Sequence, residues 1–456
     1  MSGWQPLHHS RLYRACAVVP GCFFDEERWF GDRGTGTDLL LVDTVQFGQS
    51  ATQKFLTLNL FQPGNQPGYF YYIPLLVTER PLPLREHLFG RDGFYFYEGV
   101  SIPEYINLIE EQVPGKSSYS TSRGRFLFEA YRGFGEPGFT AYGHSSNSLL
   151  FISRRYLLKN YRRIYPGVNP ELKIGLALAK RNAAEVPSVF GALRYQNEAE
   201  YTLAVIQEYV ENQGTGWELW GGLLKETSAG IEERLVRQAY RLGGTIAGLH
   251  HHLACFSRSE GKYDQLDGKD LAERLERLIE SLRREEAGLL RERTATALAK
   301  LESLGLILEG SDDLGDRFRV HGDLHLEQVL KIEPGWKIVD FEGEPLKSIA
   351  ERENYDSPLK DLASMLRSVS YRVHTLGANA GLIMREGLIA SGLIRGYLDS
   401  YRESSSTYLP SEEKLHQLLV FFQLERAVYE CQYELQYRPD WLPIPLNGLT
   451  RLLEQI

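Results

Sequence analysis

Residues 320–341, reading VHGDLHLEQVLKIEPGWKIVDF, constrain this chain more than any other stretch. His321-Gly322-Asp323 comes first, and an amide, Gln328, follows five residues after the aspartate. Two apolar runs, Val329-Leu330-Lys331-Ile332 and Trp336-Lys337-Ile338-Val339, then flank Glu333-Pro334-Gly335. Pro-Gly between runs of this kind predicts a hairpin. The hairpin returns Asp340, just ahead of Phe341, to the neighbourhood of Gln328. A turn carboxylate, an amide and a second carboxylate therefore converge. Phosphoryl transfer asks for such a set, because catalysis there is mostly positioning and charge neutralisation. Asp323 would orient or deprotonate the attacking hydroxyl, while Gln328 and Asp340 would hold Mg²⁺ on the phosphates. Each piece alone is commonplace: HGD is a polar turn, Gln328 a surface amide, and Asp before Phe a frequent pair. Three pieces in order, interleaved with strand patterns, point to a small-molecule kinase.

Composition narrows the setting. The chain has 456 residues, 43% hydrophobic and 24% charged, enough for two or three structural units with a substantial core. Lys and Arg total 51 against 60 Asp and Glu, a net charge of −9, which argues against a general nucleic-acid or anionic-membrane binder. Cys16, Cys22, Cys255 and Cys431 follow neither zinc-ligand nor disulfide-framework spacing, so reduced thiols and a cytoplasmic setting are expected. The first residues lack the charged start and apolar core of a signal peptide. No apolar run reaches membrane-spanning length, so no membrane partner is expected.

Along the chain, 1–125 reads as short β-type runs, with the first helix at Ile102 to Gln112 and a boundary at Pro114-Gly115-Lys116. Residues 126–210 read as a second β-rich part. Within it, Gly143-His144-Ser145-Ser146-Asn147-Ser148 is either a surface turn or a backbone cover for phosphates. A kinase also needs a strand lysine on the α- and β-phosphates and a helix carboxylate to hold that lysine. Lys159 closes a strand pattern, and Glu171 opens the next helix beside Pro170. Residues 203–210, running into Glu211-Asn212-Gln213-Gly214, are either a plain core strand or the segment whose backbone holds an adenine. From Trp217 the pattern is helical, with periodicity over 234–254 and 270–304. His250-His251-His252 has no spaced metal-ligating partners and reads as helix histidines. Another amphipathic helix begins after Ser357-Pro358.

HGDLHLEQVL, WKIVDFEGEP and ERENYDSPLKDLASMLRS resemble the bacterial maltokinases, relatives of the aminoglycoside phosphotransferases. Glu27-Arg28-Trp29-Phe30-Gly31, Lys159-Asn160-Tyr161-Arg162-Arg163, Tyr433-Glu434 and Arg438-Pro439-Asp440-Trp441-Leu442-Pro443 extend the likeness over almost the whole chain. The resemblance implies an α+β, bilobal protein-kinase-like fold: an N-terminal, mostly-β cap subdomain (1–125), a small-lobe sheet (126–210) and a mostly helical C-terminal lobe (211–456). It implies ATP and Mg²⁺, and transfer to the anomeric hydroxyl of maltose, with a functional link to trehalose and α-glucan enzymes. By position, Asp323 would be the catalytic group, and Gln328 and Asp340, with Glu342, the metal ligands. Ser146, Asn147, Lys159, Glu171, Glu208 and Val210 would lie on the nucleotide. His321, Asp323, Arg426, Tyr429, Glu430 and Arg438 would face the sugar, since hydroxyls want charged hydrogen-bonding groups and an aromatic face. Many maltokinases carry lysine where this chain has Arg426, and the two residues are not interchangeable at a hydroxyl. A kinase of another sugar or amino sugar, such as glucosamine, therefore stands beside maltokinase, and an inactive nucleotide-binding scaffold beside both.

Overall fold

The structure, a computed structural model, describes residues 11–48 (28 excepted), 54–64, 68–134 (84 excepted), 139–144, 148–152, 155–285, 302–303, 305, 309–343 (312 excepted), 352 and 355–455 (405 excepted). They sort into two units: residues 1–176 with 187–209, and residues 177–186 with 210–456. The architecture is α+β, with antiparallel sheets in the first unit and mainly helices in the second.

Among the described residues the first unit carries two seven-stranded sheets. In the first, Asp38–Phe47, Lys54–Pro63 and Phe70–Thr78 are long antiparallel neighbours. A short helix, Arg11–Cys16, packs against this sheet through Leu12 and Ala15, where the sequence pattern suggests only strands. In the second sheet, Tyr156–Asn160 lies between Ser148–Ile152 and Glu200–Glu208. The separate cap and small-lobe parts expected at 1–125 and 126–210 are one unit here, for three reasons. The helix Pro103–Gln112 buries Tyr105, Ile106, Leu108 and Ile109 in a core shared by both sheets. Ser118–Ser120 pairs into the second sheet, and Arg163–Ile164 crosses back to pair with Phe70–Thr78 of the first.

The helix Ile231–Ser259 is the long spine of the second unit and packs on Ala380–Glu403. Glycines set their approach: a Cβ on Gly243 would stand 2.1 Å from the Leu393 carbonyl oxygen, and one on Gly396 2.0 Å from that of Tyr240. The helix expected over 270–304 is Gly268–Glu285 as far as it is described. Its Arg274 bonds both oxygens of Asp356 and of Glu425, with Lys360 also donating to Asp356 at 2.7 Å. This buried cluster ties that helix to the helices Leu359–Thr375 and Glu412–Tyr437. Burial alone would raise the acids, but the Arg274 and Lys360 charges carry Asp356 and Glu425 below the usual carboxylate range. Among the described residues no helix is long and apolar enough to cross a membrane.

Candidate active site

The hairpin expected from the sequence forms, with Val329–Lys331 paired antiparallel to Trp336–Ile338. A further bond, Val339 N–H to the Gln328 carbonyl at 2.9 Å, closes its open end. Gln328 and Asp340 therefore meet, the amide Nε2 donating to Asp340 Oδ2 at 3.1 Å. Asp340 takes a left-handed backbone, φ 68°, and its carboxylate offers an oxygen within 4.8 Å of one from Glu342. Turning the Gln328 amide exchanges its oxygen and nitrogen, giving two carboxylates and an amide oxygen. Such an all-oxygen set suits a hard dication.

Ahead of the hairpin, the turn carrying Asp323 is pinned from below. The backbone N–H groups of His321 and Gly322 donate to Asp361 Oδ2 and Oδ1, at 2.7 and 2.9 Å. Gly322 has φ 87°, a conformation that favours glycine. Asp361 is fully buried and is also bonded to His250 Nε2 at 3.1 Å, whose Nδ1 meets the Tyr397 hydroxyl at 2.9 Å. Burial would raise the Asp361 acid, but the His250 hydrogen bond, nearby charge and the Gly322 N–H hold it below its ordinary value. His321, expected on the sugar side, is placed beneath the turn and not among the described residues that line the cavity below. Its side chain is fully buried, Nε2 meets the Val339 carbonyl oxygen at 3.0 Å, and Nδ1 faces the Asp323 N–H at 3.4 Å. It braces the turn against the hairpin and presents nothing to a ligand.

The other five sugar-side residues, Asp323, Arg426, Tyr429, Glu430 and Arg438, line a single cavity of about 350 Å³. The helix Glu412–Tyr437 supplies three of them, at spacings that share one face. Arg426 Nη1 donates to Asp323 Oδ1 at 2.9 Å, and its Nε lies 3.7 Å from Glu430 Oε1. Glu430 in turn accepts from Arg367 at 2.7 Å. Further lining residues, to which the sequence assigns no role, include Trp217, His325, Glu327, Tyr371, Glu434 and Trp441. Glu434 Oε1 accepts from the Tyr371 hydroxyl and from Arg438, each at 2.7 Å. Its Oε2 is buried without a hydrogen-bond partner among the described residues. The Tyr371 and Trp441 rings stack at 6.2 Å, and the Arg438 guanidinium lies 5.1 Å from the Trp441 ring centre. Among the described residues four carboxylates line the cavity against two guanidiniums. Burial pushes the His325 imidazole below its usual value, although Asp323 pulls the other way, so it adds no countercharge at neutral pH.

In the first unit, Lys159 Nζ meets Glu171 Oε2 at 2.8 Å, both side chains being buried. The Tyr161 hydroxyl donates to the same oxygen at 2.7 Å, and Asn169 Oδ1 caps the Glu171 N–H. The strand lysine and helix carboxylate that the order suggests are thus brought together. Glu208 ends its strand with its carboxylate on the Ser188 N–H at 3.1 Å and its own N–H on the Ser188 carbonyl. Val210 begins the longer of the second unit's two segments, its carbonyl accepting from Asn212. Ser146 and Asn147 lie outside the described residues.

The chain matches no family model. It is 24% identical over 356 residues to a glucosamine kinase from Streptacidiphilus jiangxiensis, spanning 74% of this chain and 78% of the relative. A glucosamine kinase from Mycolicibacterium smegmatis is 24% identical over 323 residues, spanning 68% and 78%. One solved structure of glucosamine kinase superposes with a TM-score of 0.71 at 17% identity, covering 97% of this chain and 99% of that one. Another, in complex with glucosamine, ADP and inorganic phosphate, gives 0.68 at 17% identity, covering 91% and 94%. The chain has the fold of a glucosamine kinase. The α+β, kinase-like architecture expected from the sequence stands.

Proposed function

We propose that this protein is an ATP-dependent sugar kinase whose acceptor is an amino sugar of the glucosamine type. The observation that carries the reading is the cavity at Asp323, with four carboxylates against two guanidiniums and a stacked aromatic wall. A protonated amine gains from that balance, and the C–H face of a pyranose suits the rings. The similarity to glucosamine kinases over about three quarters of the chain supports the same acceptor class. It also moves glucosamine ahead of maltose, and with maltose goes the link to trehalose and α-glucan enzymes.

The roles follow from chemistry. Asp323 orients the acceptor hydroxyl and takes its proton, from a turn that Asp361 and His321 hold in place. Lys159, oriented by Glu171, neutralises nucleotide phosphate charge. The backbone at Glu208 to Val210 is assigned to the adenine by chain order. Gln328, Asp340 and Glu342 are the residues that would hold Mg²⁺, which when bound supplies charge neutralisation on the phosphates. The test is ADP release from ATP–Mg²⁺ across a panel of hexoses, amino sugars and maltose, with NMR of the product. Glucosamine is expected to be turned over with the highest kcat/KM. Turnover of maltose with none of glucosamine would return the acceptor to the maltokinase reading.

A further inference from the structure

A second cavity, of about 650 Å³, lies next to the one at Asp323. Among the described residues, three line both: Ser364, Arg426 and Tyr429. They form the wall between the two spaces, and Arg426 is its long polar member. Its guanidinium is tethered by Asp323 at 2.9 Å and Glu430 at 3.7 Å, with its centre 5.0 Å from that of the Tyr429 ring. A planar group anchored by two carboxylates and laid against an aromatic face loses most of its rotamer freedom, so it acts as a rigid panel. Ser364, 6% exposed, adds a buried hydroxyl without a hydrogen-bond partner among the described residues.

The far side of the panel is built for polar ligand surface. The Arg274–Asp356–Glu425–Lys360 cluster forms a floor of already satisfied charges. The half-buried Tyr355 offers aromatic surface, and the exposed Gln432 stands at the edge. Hydroxyl-rich rings are recognised by such mixtures of charged groups and aromatic faces. The cavity at Asp323 is near the small end of ligand sites, whereas this one is almost twice its size.

We infer that Arg426 is a specificity-determining residue, a partition that limits the acceptor to one sugar ring and closes off a chamber able to take a second. The inference rests on the Asp323 cavity being the acceptor site. The long side chain with two tethers makes the wall, so shortening it joins the chambers. An acceptor with its reacting ring at Asp323 can then extend its second ring past Tyr429.

The experiment compares glucosamine with its β-1,4-linked dimer as acceptors for the wild type, Arg426→Ala and Arg426→Lys. Because Arg426 also pairs with Asp323, absolute rates will fall, and the quantity read is the ratio of kcat/KM for the dimer to that for the monomer. The ratio is expected to rise about tenfold or more in R426A and about threefold in R426K, as selectivity is a ratio of these constants. Adding Gln432→Trp to either variant refills the chamber and should return the ratio toward the wild-type value. If R426A does not fold, R426K carries the same reading. An unchanged ratio in folded variants, or a wild type that already uses the dimer as well as the monomer, overturns the partition alone. A wild type that neither binds glucosamine by calorimetry nor phosphorylates it overturns both the acceptor assignment and the partition.

Discussion

Glu434→Gln asks whether the acceptor is recognised as a cation. Glu434 is 2% exposed, and its Oε1 is already shared by the Tyr371 hydroxyl and Arg438 at 2.7 Å each. On the proposed function, the buried and unpartnered Oε2 is the atom that would take the acceptor's amine. Glutamine keeps the shape: its oxygen can stay with Tyr371 and Arg438, which puts an amide donor where Oε2 stood. A hydrogen bond to a charged group contributes about 1.5–3 kcal/mol net, against about 0.5–1.5 kcal/mol for a neutral pair. At about 1.4 kcal/mol per factor of ten, E434Q should cost glucosamine about 10- to 150-fold in kcat/KM. Glucose, with a hydroxyl in place of the amine, should lose only about 2- to 13-fold. The assay is coupled ADP release at a pH where the amine is protonated, with both sugars on the same preparation. The preference for glucosamine over glucose should fall about tenfold. Equal losses for the two sugars, or none for either, would refute an ammonium contact at Glu434.

Asp323→Asn should lower kcat about 10²- to 10⁴-fold while leaving ATP binding intact, as expected on losing a general base; turnover within a few-fold of wild type would remove Asp323 from that role. Asp361→Asn exchanges one acceptor oxygen for a donor facing the His321 or Gly322 N–H. It should cut kcat about 10²-fold through misplacement of Asp323, leave the acceptor KM nearly unchanged, and speed amide exchange at 321–323; slow exchange with low kcat would contradict a positioning role. Arg274→Met should destabilise the protein at pH 7 by about 3 kcal/mol, since it leaves Asp356 and Glu425 as buried charges short of a partner. Because both acids are depressed in the folded state, the stability they contribute is present above their ordinary values of 3.8 and 4.5 and is lost as pH falls through the folded values. The gap between wild type and R274M in urea midpoints should therefore narrow below about pH 4; a constant gap from pH 7 to pH 3 would refute the linkage.

Local chemistry was legible in the sequence wherever the partners are close in the chain. Pro334-Gly335 between apolar runs sufficed for the hairpin, and with it the meeting of Gln328 and Asp340. Lys159 and Glu171 are twelve residues apart, a strand and a helix start, and order alone paired them. The burial of His321 was not legible, because it depends on Asp361, forty residues later, and on the Val339 carbonyl across the hairpin. For a similar reason the chain divides into its two units elsewhere than at the cap boundary expected at 125. The pattern of Pro103–Gln112 identifies a helix, but not that its apolar face serves two sheets at once. Glu434 and Trp441 lie inside strings that drew attention as resemblances. Their role depends on Tyr371 and Arg438, and on rings brought together from separate helices.

The cavity at Asp323 has two electrostatic ends, and this shapes how an acceptor can lie in it. Toward the Asp323 turn the charges alternate, Asp323, Arg426, Glu430, Arg367, so Asp323 and Glu430 each have a guanidinium beside them. An added cation gains little there, whereas a hydroxyl can insert beside Asp323 without leaving a buried charge bare. At Glu434 the balance differs. Its cationic partner, Arg438, is about half exposed, at 48%, and so is screened by solvent, and its second phenolic partner, Tyr371, carries no charge. Burial and the Glu434 hydrogen bond push the Tyr371 hydroxyl far above its ordinary value, so the phenol remains a donor at any working pH. Of the two buried carboxylates of the cavity, Glu430 and Glu434, the charge of Glu434 is thus the less compensated by its neighbours, and on the proposed function the amine of an acceptor has most to gain there. A sugar that satisfies both ends presents a hydroxyl to Asp323 and an ammonium to Glu434, with its C–H face on the Trp441 side. That demand is on the arrangement of groups around one ring, so positional isomers of an amino sugar should differ in kcat/KM even at equal charge and size.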